Sequence, residues 1–246
     1  RACVGQVHAR ADAEHRLARL PVGEVDRHLH RQARVEPGAA PAGDVALTVT
    51  TASYEDEAAL RAFAGSVDVI TYEFENVPTS ALDLLESLKP IRPNRRALAV
   101  SQDRIIEKRF LNDLGLLTAP WDAVNSADDL RAAAEKLGLP AILKTARLGY
   151  DGKGQVKLDD DSQIGAAWAA MNNAPSVLEG FIAFDREISV IAARGLDGSV
   201  ACFDPGENVH RNGILRTTTV PARLSPALRS DAVLIAARIL NALDYV

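Results

Sequence analysis

The sequence has little cysteine, no excess of positive charge and no long apolar run, and each absence excludes a class of protein. Its two cysteines, Cys3 and Cys202, are too few for a disulfide framework and indicate reduced thiols of a cytoplasmic protein. The formal net charge of −5 provides no basic surface for nucleic acid. No apolar run approaches the roughly 20 residues of a membrane span, and we predict no signal peptide.

The N-terminal segment differs in composition from the rest of the chain. The sequence begins at Arg1 and stops at Val246 inside a predicted helix, and we therefore expect a fragment. Residues 1–36 contain four of the five histidines without a clean apolar period, so we assign this leader no fold. A metal site at His28-x-His30 is the alternative, but no cysteine or carboxylate spacing completes it, and we predict none.

From residue 37 to about residue 95, strand and helix patterns alternate. "DVALTVTTA" is β-rich, and "YEDEAALRAFAG" has acidic residues in the first turn of a predicted helix. "VDVITYEF" is a nearly continuous apolar strand, as expected for a strand covered on both faces, and "VPTSALDLLESL" is the next helix. This order predicts a partial α/β domain with a parallel, doubly wound sheet.

Residues 96–246 predict a second, α+β domain. A helical stretch from about Arg95 to Leu114 precedes the strand "WDAV" and the helix "SADDLRAAAEKLG", for which Ser126 is a good N-cap. The strands "AILKT" and "QVKL", a helix at about 161–171, and the strands "SVLEGF", "EISVIAA" and "SVACF" follow. The last helix begins at Ser225-Pro226, an N-cap followed by proline.

A glycine-rich loop lies between two of these strands, in "ILKTARLGYDGKGQVKL". Its glycines are Gly149, Gly152 and Gly154, with Lys144 before them and Lys153 among them. The spacing matches neither G-x-x-x-x-G-K-[ST] nor G-x-G-x-x-G at a helix start. A hairpin of this kind can close over a nucleotide, whereas a Walker loop holds phosphates at a helix N-terminus.

Five motifs in order give a family resemblance over about residues 37–246. They are "VDVITYEFENVP", "SQDRIIEKRFLNDLGLLTAPW", "PAILKTARLGYDGKGQ", "LEGFIAFDREISVIAARG" and "ENVHRNGILR". Together they resemble the 5-(carboxyamino)imidazole ribonucleotide synthases, ATP-grasp enzymes of purine biosynthesis. The resemblance implies an α/β protein of the ATP-grasp fold, with a partial doubly wound N-terminal domain and an α+β ATP-grasp domain.

The resemblance also implies an activity. ATP would phosphorylate bicarbonate to carboxyphosphate, which would then carboxylate the exocyclic amine of 5-aminoimidazole ribonucleotide. Members of this family require Mg²⁺ and are usually homodimers.

The resemblance assigns site residues by their positions in the motifs. The nucleotide contacts that it implies are Arg104, Lys144, Gly149, Gly152, Gly154, Gln155, Glu179, Gly180, Phe181, Ile182, Glu187 and His210. Lys144 and Arg104 would contact phosphates, the segment 179–182 would hold adenine, and Glu187 would accept the ribose hydroxyls. Ordinary structural roles are the alternatives: surface cations, hairpin glycines, a strand ion pair and a structural histidine.

The catalytic residues implied by the resemblance lie in the glycine loop. Tyr150 and Asp151 would face the aminoimidazole ribonucleotide, and Asp151 could orient its amine or accept its proton. Lys153, where the family often has arginine, would neutralise carboxyphosphate as a point charge.

A further pair of carboxylates lies in the first predicted domain. Glu73 and Glu75 share one face of a predicted strand, at the edge of a doubly wound sheet where ligands bind. With Asn76, we interpret them as substrate-side structure.

Two departures from the family pattern leave alternatives open. Residues 1–36 supply no strand with a glycine-rich turn, and we expect the family's Mg²⁺ carboxylates beyond Val246. The chain alone would then lack its main charge clamp and could be inactive. The alternatives are another ATP-grasp carboxylase or formate-using transferase, which should lack Tyr150-Asp151, and a non-catalytic nucleotide-binding or structural fragment.

Overall fold

The structure is a computed structural model that describes residues 33–37, 48–72, 74–149, 153–211 and 213–246. The chain divides into two units between Leu98 and Ala99. Each unit is described by itself. None of the helices in the described part of the chain combines the length and apolar character that a membrane span requires.

The N-terminal unit contains a parallel strand pair and helices around one apolar cluster. Its elements are β1 (Ala33–Glu36), β2 (Thr48–Thr51), α1 (Glu57–Gly65) and α2 (Thr79–Glu86), and helix α3 (Arg95–Ser101) begins at its end. β1 and β2 pair in parallel, a pair that the sequence analysis did not predict. The cluster is built by Leu60, Ile70, Leu82, Leu85 and Ile91. β1 lies in the segment to which the sequence analysis assigned no fold.

The predicted strand "VDVITYEF" is wrong in its extent. Among its described residues, only Ile70 makes a ladder contact, an isolated parallel bridge to Ile91. Ile70 is buried, whereas Val69 is 57% exposed and Phe74 is also exposed. Among the described residues of this run, Ile70 is therefore buried in the cluster, and no strand buried on both faces is formed.

The C-terminal unit is built around a four-stranded antiparallel sheet. Its remaining helices are α4 (Arg104–Asp113), α5 (Ala127–Leu137), α6 (Ile164–Ala170) and α7 (Pro226–Leu243). Its strands are β3 (Trp121–Val124), β4 (Ala141–Thr145), β5 (Gln155–Leu158), β6 (Ser176–Gly180), β7 (Glu187–Ser189), β8 (Ala192–Arg194), β9 (Val200–Cys202), β10 (Gly206–Arg211) and β11 (Ile214–Thr219). The large sheet has the order β3-β6-β4-β5. Its core is formed mainly by Val124, Leu130, Leu143, Leu158 and Leu178.

Side-chain caps set the helix boundaries of this unit. The predicted continuous helix from Arg95 to Leu114 is two helices, because the Asp103 carboxylate accepts hydrogen bonds from the backbone N–H groups of Ile105 and Ile106 and starts α4. Ser126 caps α5 as predicted, accepting from the Asp129 N–H. The predicted helix at about 161–171 is a short 3₁₀ turn (Asp161–Gln163) followed by α6.

Two smaller sheets complete the unit. The predicted strand "EISVIAA" is broken into β7 and β8, and β8 pairs with β9. β7 joins β10 and β11 in an antiparallel sheet of order β11-β10-β7. The sequence analysis used the motif in β10 and β11 but did not predict these strands. The Ser225 hydroxyl caps α7, and Pro226 occupies its first turn as predicted.

Candidate functional site

A buried carboxylate between two lysines lies on the large sheet. Oε2 of Glu179 is 2.9 Å from Nζ of Lys144, and Oε1 is 3.1 Å from Nζ of Lys108. The side chain of Glu179 is 12% exposed, that of Lys108 10% and that of Lys144 22%. The structure therefore brings together two residues predicted to contact nucleotide, Lys144 and Glu179, and adds a third group.

Strand register and helix packing place these three side chains. β4 and β6 are antiparallel neighbours, with Ile142 opposite Glu179 and Lys144 opposite Val177. Lys144 and Glu179 are thus diagonal neighbours on one face of the sheet, within reach of long side chains. α4 packs against β6 and supplies Lys108 to the same face.

Charge and burial act in opposite directions on Glu179. Burial opposes its ionisation, but the positive charges of Lys144 and Lys108 and their hydrogen bonds outweigh it and hold the pKa of Glu179 below its ordinary value. Burial raises the pKa of the neighbouring Glu107 carboxyl, although Arg104 and Lys108 oppose that change. Arg104, Lys108 and Lys144 are the cations that act on these two carboxyls, and a group of cations suits an anionic ligand.

The glycine loop begins after Thr145 and ends at Gly154, and we call this hydrogen-bonded pair of residues the loop neck. The Thr145 N–H donates to the Gly154 carbonyl over 2.8 Å. Gly154 has φ +70°, and a Cβ there would lie 2.6 Å from Oγ1 of Thr145. A side chain at residue 154 would therefore clash in a conformation that glycine adopts readily.

The start of α4 lies beside this neck. The Arg104 N–H donates to the Ala146 carbonyl over 2.9 Å, and a Cβ on Gly149 would be 3.4 Å from an Arg104 guanidinium nitrogen. Arg104 and Gly149, two of the predicted nucleotide contacts, are thus neighbours. Lys153 is exposed and Gln155 begins β5, whereas residues 150–152 lie outside the described residues.

The segment after β6 has a specific pattern of backbone hydrogen bonds. The Gly180 N–H donates to the Pro120 carbonyl, and the Phe181 N–H donates to the Pro140 carbonyl. Among the described residues, no group accepts a hydrogen bond from the Ile182 N–H. Lys157 lies over the Phe181 ring, 5.2 Å from its centroid. Within the described part of the chain, the Ile182 N–H is therefore available to a ligand.

A second carboxylate predicted to contact nucleotide forms a more exposed pair. Nδ1 of His210 lies 3.2 Å from Oε1 of Glu187, and the side chains are 36% and 41% exposed respectively. Nδ2 of Asn208 donates to the same oxygen over 3.5 Å. The pairing of β7 with β10 sets Asn208 opposite Glu187 and brings His210 to the same carboxylate. Glu187 and His210 are thus neighbours, as two contacts of one ligand would be.

Other predicted site residues belong to the N-terminal unit or lie outside the described residues. Glu75 is exposed and Asn76 is half-buried in the N-terminal unit, and Glu73 is outside the described residues, as are His28 and His30. Among the residues that the structure describes, no group of three or more His, Cys, Asp or Glu side chains could hold a metal ion. The described residues therefore do not fit a Mg²⁺ site, and none is assigned to it.

The sequence analysis missed Lys108. Within "RIIEKRF" it reads as part of the charged surface of a helix. Its spacing of four residues from Arg104 places both on one helix face, and that signal could have identified it.

Comparison with known proteins gives the family. The model for the ATP-grasp domain matches residues 109–246, and the model for the ribonucleotide synthetase preATP-grasp domain matches residues 16–102. An N5-carboxyaminoimidazole ribonucleotide synthase from Brucella melitensis is 52% identical over 215 residues, covering 86% of this chain and 59% of that protein.

Solved structures agree with the sequence comparison. The N5-carboxyaminoimidazole ribonucleotide synthetase of Thermus thermophilus matches with a TM-score of 0.78 and 40% identity, over 87% of this chain and 58% of that one. The N5-carboxyaminoimidazole synthetase of Staphylococcus aureus in complex with ADP matches with a TM-score of 0.80 and 34% identity, over 85% and 56%.

The chain spans somewhat more than half the length of these relatives. The predicted resemblance and the predicted ATP-grasp fold are both confirmed by these matches. The ATP-grasp family model matches more than half of the chain, and the chain therefore belongs to the ATP-grasp family.

Proposed function

We propose that this chain carries the nucleotide-binding part of an ATP-dependent ligase that forms N5-carboxyaminoimidazole ribonucleotide in purine biosynthesis. The observation that carries the proposal is the buried Glu179 held between Lys108 and Lys144 beside the glycine loop. A net positive group of this kind, next to a backbone that approaches closely at Gly154, suits a nucleotide phosphate. Relatives named for this reaction support the choice of substrate.

Adenine would bind along the segment 179–182. The N–H groups of Gly180 and Phe181 already donate to backbone carbonyls. Among the described residues, no group accepts a hydrogen bond from the Ile182 N–H, so this group would donate to the purine edge. Glu179 would accept the exocyclic amino group. A carboxylate has about four lone-pair sites, so two lysines do not saturate it.

The phosphates would lie between Lys144 and Arg104. The Lys144 ammonium has three donors, of which one reaches Glu179, so it can donate to a phosphate oxygen without releasing that carboxylate. Arg104 lies at the loop neck, beside Gly149, where the glycines let the loop backbone pack closely against Thr145. Glu187 would accept the ribose hydroxyls, with His210 beside it.

The chemistry we propose has two steps. The terminal phosphoryl group of ATP passes to a bicarbonate oxygen, which releases ADP and leaves carboxyphosphate. The amine of 5-aminoimidazole ribonucleotide attacks the carboxyl carbon, phosphate leaves, and the amine loses a proton. Positioning and neutralisation of charge supply most of the rate in such transfers.

The glycine loop supplies the remaining groups of this proposal on sequence grounds. Lys153 would neutralise carboxyphosphate, Tyr150 and Asp151 would face the ribonucleotide, and Gly152 and Gln155 would complete the nucleotide contacts. We also propose a requirement for Mg²⁺, a homodimeric assembly and a cytoplasmic location, since the resemblance implies them. No step is assigned to the metal, because the described residues do not fit its site.

Calorimetric titration of the full 246-residue chain with ADP tests the nucleotide site. Lys144→Met is expected to weaken binding, and Lys136→Met is the control, because Lys136 pairs with Asp122 on an exposed surface. Absence of ADP binding to the folded chain would refute the nucleotide site.

Phosphate release from ATP tests the acceptor. It is expected to require both bicarbonate and 5-aminoimidazole ribonucleotide, and each is omitted in turn. Steady turnover with a different acceptor, and none with this pair, would refute the proposed reaction while leaving the nucleotide site in place.

A further inference from the structure

We infer that Lys108 is a positioning residue for base recognition, which fixes the Glu179 carboxylate so that it selects a purine with an exocyclic amino group. This inference rests on the proposed function, since it names how the same nucleotide site chooses its base. Lys108 contacts Glu179 and is assigned no contact with the nucleotide.

Each of the two lysines contacts a different oxygen of the Glu179 carboxylate. Lys108 reaches Oε1 at 3.1 Å, and Lys144 reaches Oε2 at 2.9 Å. With one cation on each oxygen, the carboxylate plane is held from both sides. Each oxygen keeps one further lone-pair site, and an amino N–H is a donor that fits it.

The two lysines are not equivalent. Lys144 is at the end of β4, just before the glycine loop, and its side chain is twice as exposed as that of Lys108. Lys108 comes from α4, which packs against β6, so it approaches Glu179 from within the unit. When Lys144 also donates to a phosphate, Lys108 is the partner that is assigned to Glu179 and to no part of the nucleotide.

Loss of Lys108 is therefore expected to change the acceptor that Glu179 presents to a base. Burial favours the protonated form of Glu179, and Lys108 is one of the two charges that oppose it. A protonated or rotated carboxyl no longer presents a fixed acceptor to an amino group. The preference for an amino base over an oxo base would fall as a result.

ADP and IDP measure this preference, because they differ in the 6-substituent of the base and in the protonation of the adjacent N1. Calorimetry on the 246-residue chain gives the ratio of the two dissociation constants for wild type, Lys108→Met and Lys136→Met. In Lys108→Met the preference for ADP is expected to fall about tenfold, the loss of one good charged hydrogen bond. Some preference for ADP should persist, because the protonated N1 of an oxo base cannot accept a hydrogen bond from the Ile182 N–H. Lys136→Met should keep the wild-type ratio.

The outcomes separate this inference from the proposed function. If Lys108→Met weakens ADP and IDP by the same factor, Lys108 is only structural and the inference is wrong, while the nucleotide site stands. If that variant does not fold, Lys108→Ala, which leaves space for water but no fixed donor, replaces it, and an unchanged ratio again overturns the inference. Wild type that binds neither nucleotide refutes the proposed function, and this inference with it.

Discussion

Two carboxylates of the C-terminal unit face the same kind of task in very different surroundings. Glu179 is buried between two lysines, whereas Glu187 is partly exposed and meets one histidine and one amide. Both were predicted to contact a nucleotide. Their surroundings indicate different consequences, because an ion pair removed from water responds far more strongly to loss of a partner than one at the surface.

The comparison teaches where binding and stability are coupled. At Glu179 the groups that would hold the ligand also neutralise one another inside the unit, so changing one should affect both folding and binding. At Glu187 water can replace a missing partner. A substitution there should therefore change ligand binding and leave the free energy of unfolding nearly unchanged. Substitutions at the two carboxylates can therefore break or sharpen this difference.

The largest effect is expected from Glu179→Gln. The substitution keeps the side-chain size but removes the carboxylate that pairs with both Lys108 and Lys144, which should lower the free energy of unfolding by about 3–5 kcal/mol. Urea unfolding measures this loss. Glu187→Gln is the matched control and should cost less than about 1 kcal/mol. Equal losses at the two positions would contradict the comparison.

Lys144→Met should have the next largest effect, this time on binding. Removing one charged hydrogen bond to a phosphate is expected to weaken ADP binding by about 10- to 150-fold. Calorimetry measures the dissociation constant, and circular dichroism establishes that the variant is folded. Lys136→Met should bind ADP as wild type does. An unchanged dissociation constant in Lys144→Met would remove Lys144 from the nucleotide site.

The sequence alone predicted the local structure around Glu179 well, but it did not predict the cluster. Strand patterns placed Lys144 and Glu179 on β4 and β6, and Ser126 marked the start of α5. That Lys144 and Glu179 meet depends on the antiparallel register of β4 with β6, which no local pattern encodes. Lys108 was missed because burial of a lysine is decided by the packing of α4 against the sheet.

The errors in the fold have a similar origin. The strand predicted at "VDVITYEF" rested on apolar content, but among its described residues only Ile70 pairs with another residue. A ladder also requires a neighbouring strand of similar length, which apolar content does not reveal. β10 and β11 are polar and exposed along most of their length, so no apolar alternation marks them. Glu187 and His210 could thus be named from motif position, whereas the sheet that joins them could not be predicted.

A smaller change in the free energy of unfolding is expected from Glu107→Gln. Its sign follows from the direction in which the pKa of Glu107 is shifted. The pKa of Glu107 is raised in the folded protein, so its ionisation weakens folding as pH rises from the unfolded pKa, near 4.5, to the folded one. Glutamine carries no charge, and the variant should therefore be more stable than wild type at neutral pH. Glu179 acts in the opposite sense, because its lowered pKa gives stability that is lost as pH falls through the folded value.

Urea unfolding of wild type and Glu107→Gln between about pH 4 and pH 8 measures this difference. It should grow across the window above 4.5 and then stay constant. The charged groups around Glu107 are Arg104 and Lys108 on α4, Lys144 on β4 and Glu179 on β6. Their attraction offsets part of the cost of burial, so the gain should be smaller than the loss in Glu179→Gln. A variant less stable than wild type at neutral pH would show that the cations dominate at Glu107.

The smallest effect is expected from His210→Ala. The pair with Glu187 is partly exposed, so its loss should change the free energy of unfolding by less than about 1 kcal/mol. Glu187 keeps Asn208 as a partner, and it should still accept a ribose hydroxyl. ADP binding should then weaken by no more than about fivefold, and 2′-deoxy-ADP should be disfavoured as in wild type. A loss of ADP affinity as large as that of Lys144→Met would mean that His210 itself contacts the nucleotide, and the exposed pair would then carry as much of the binding as the buried one.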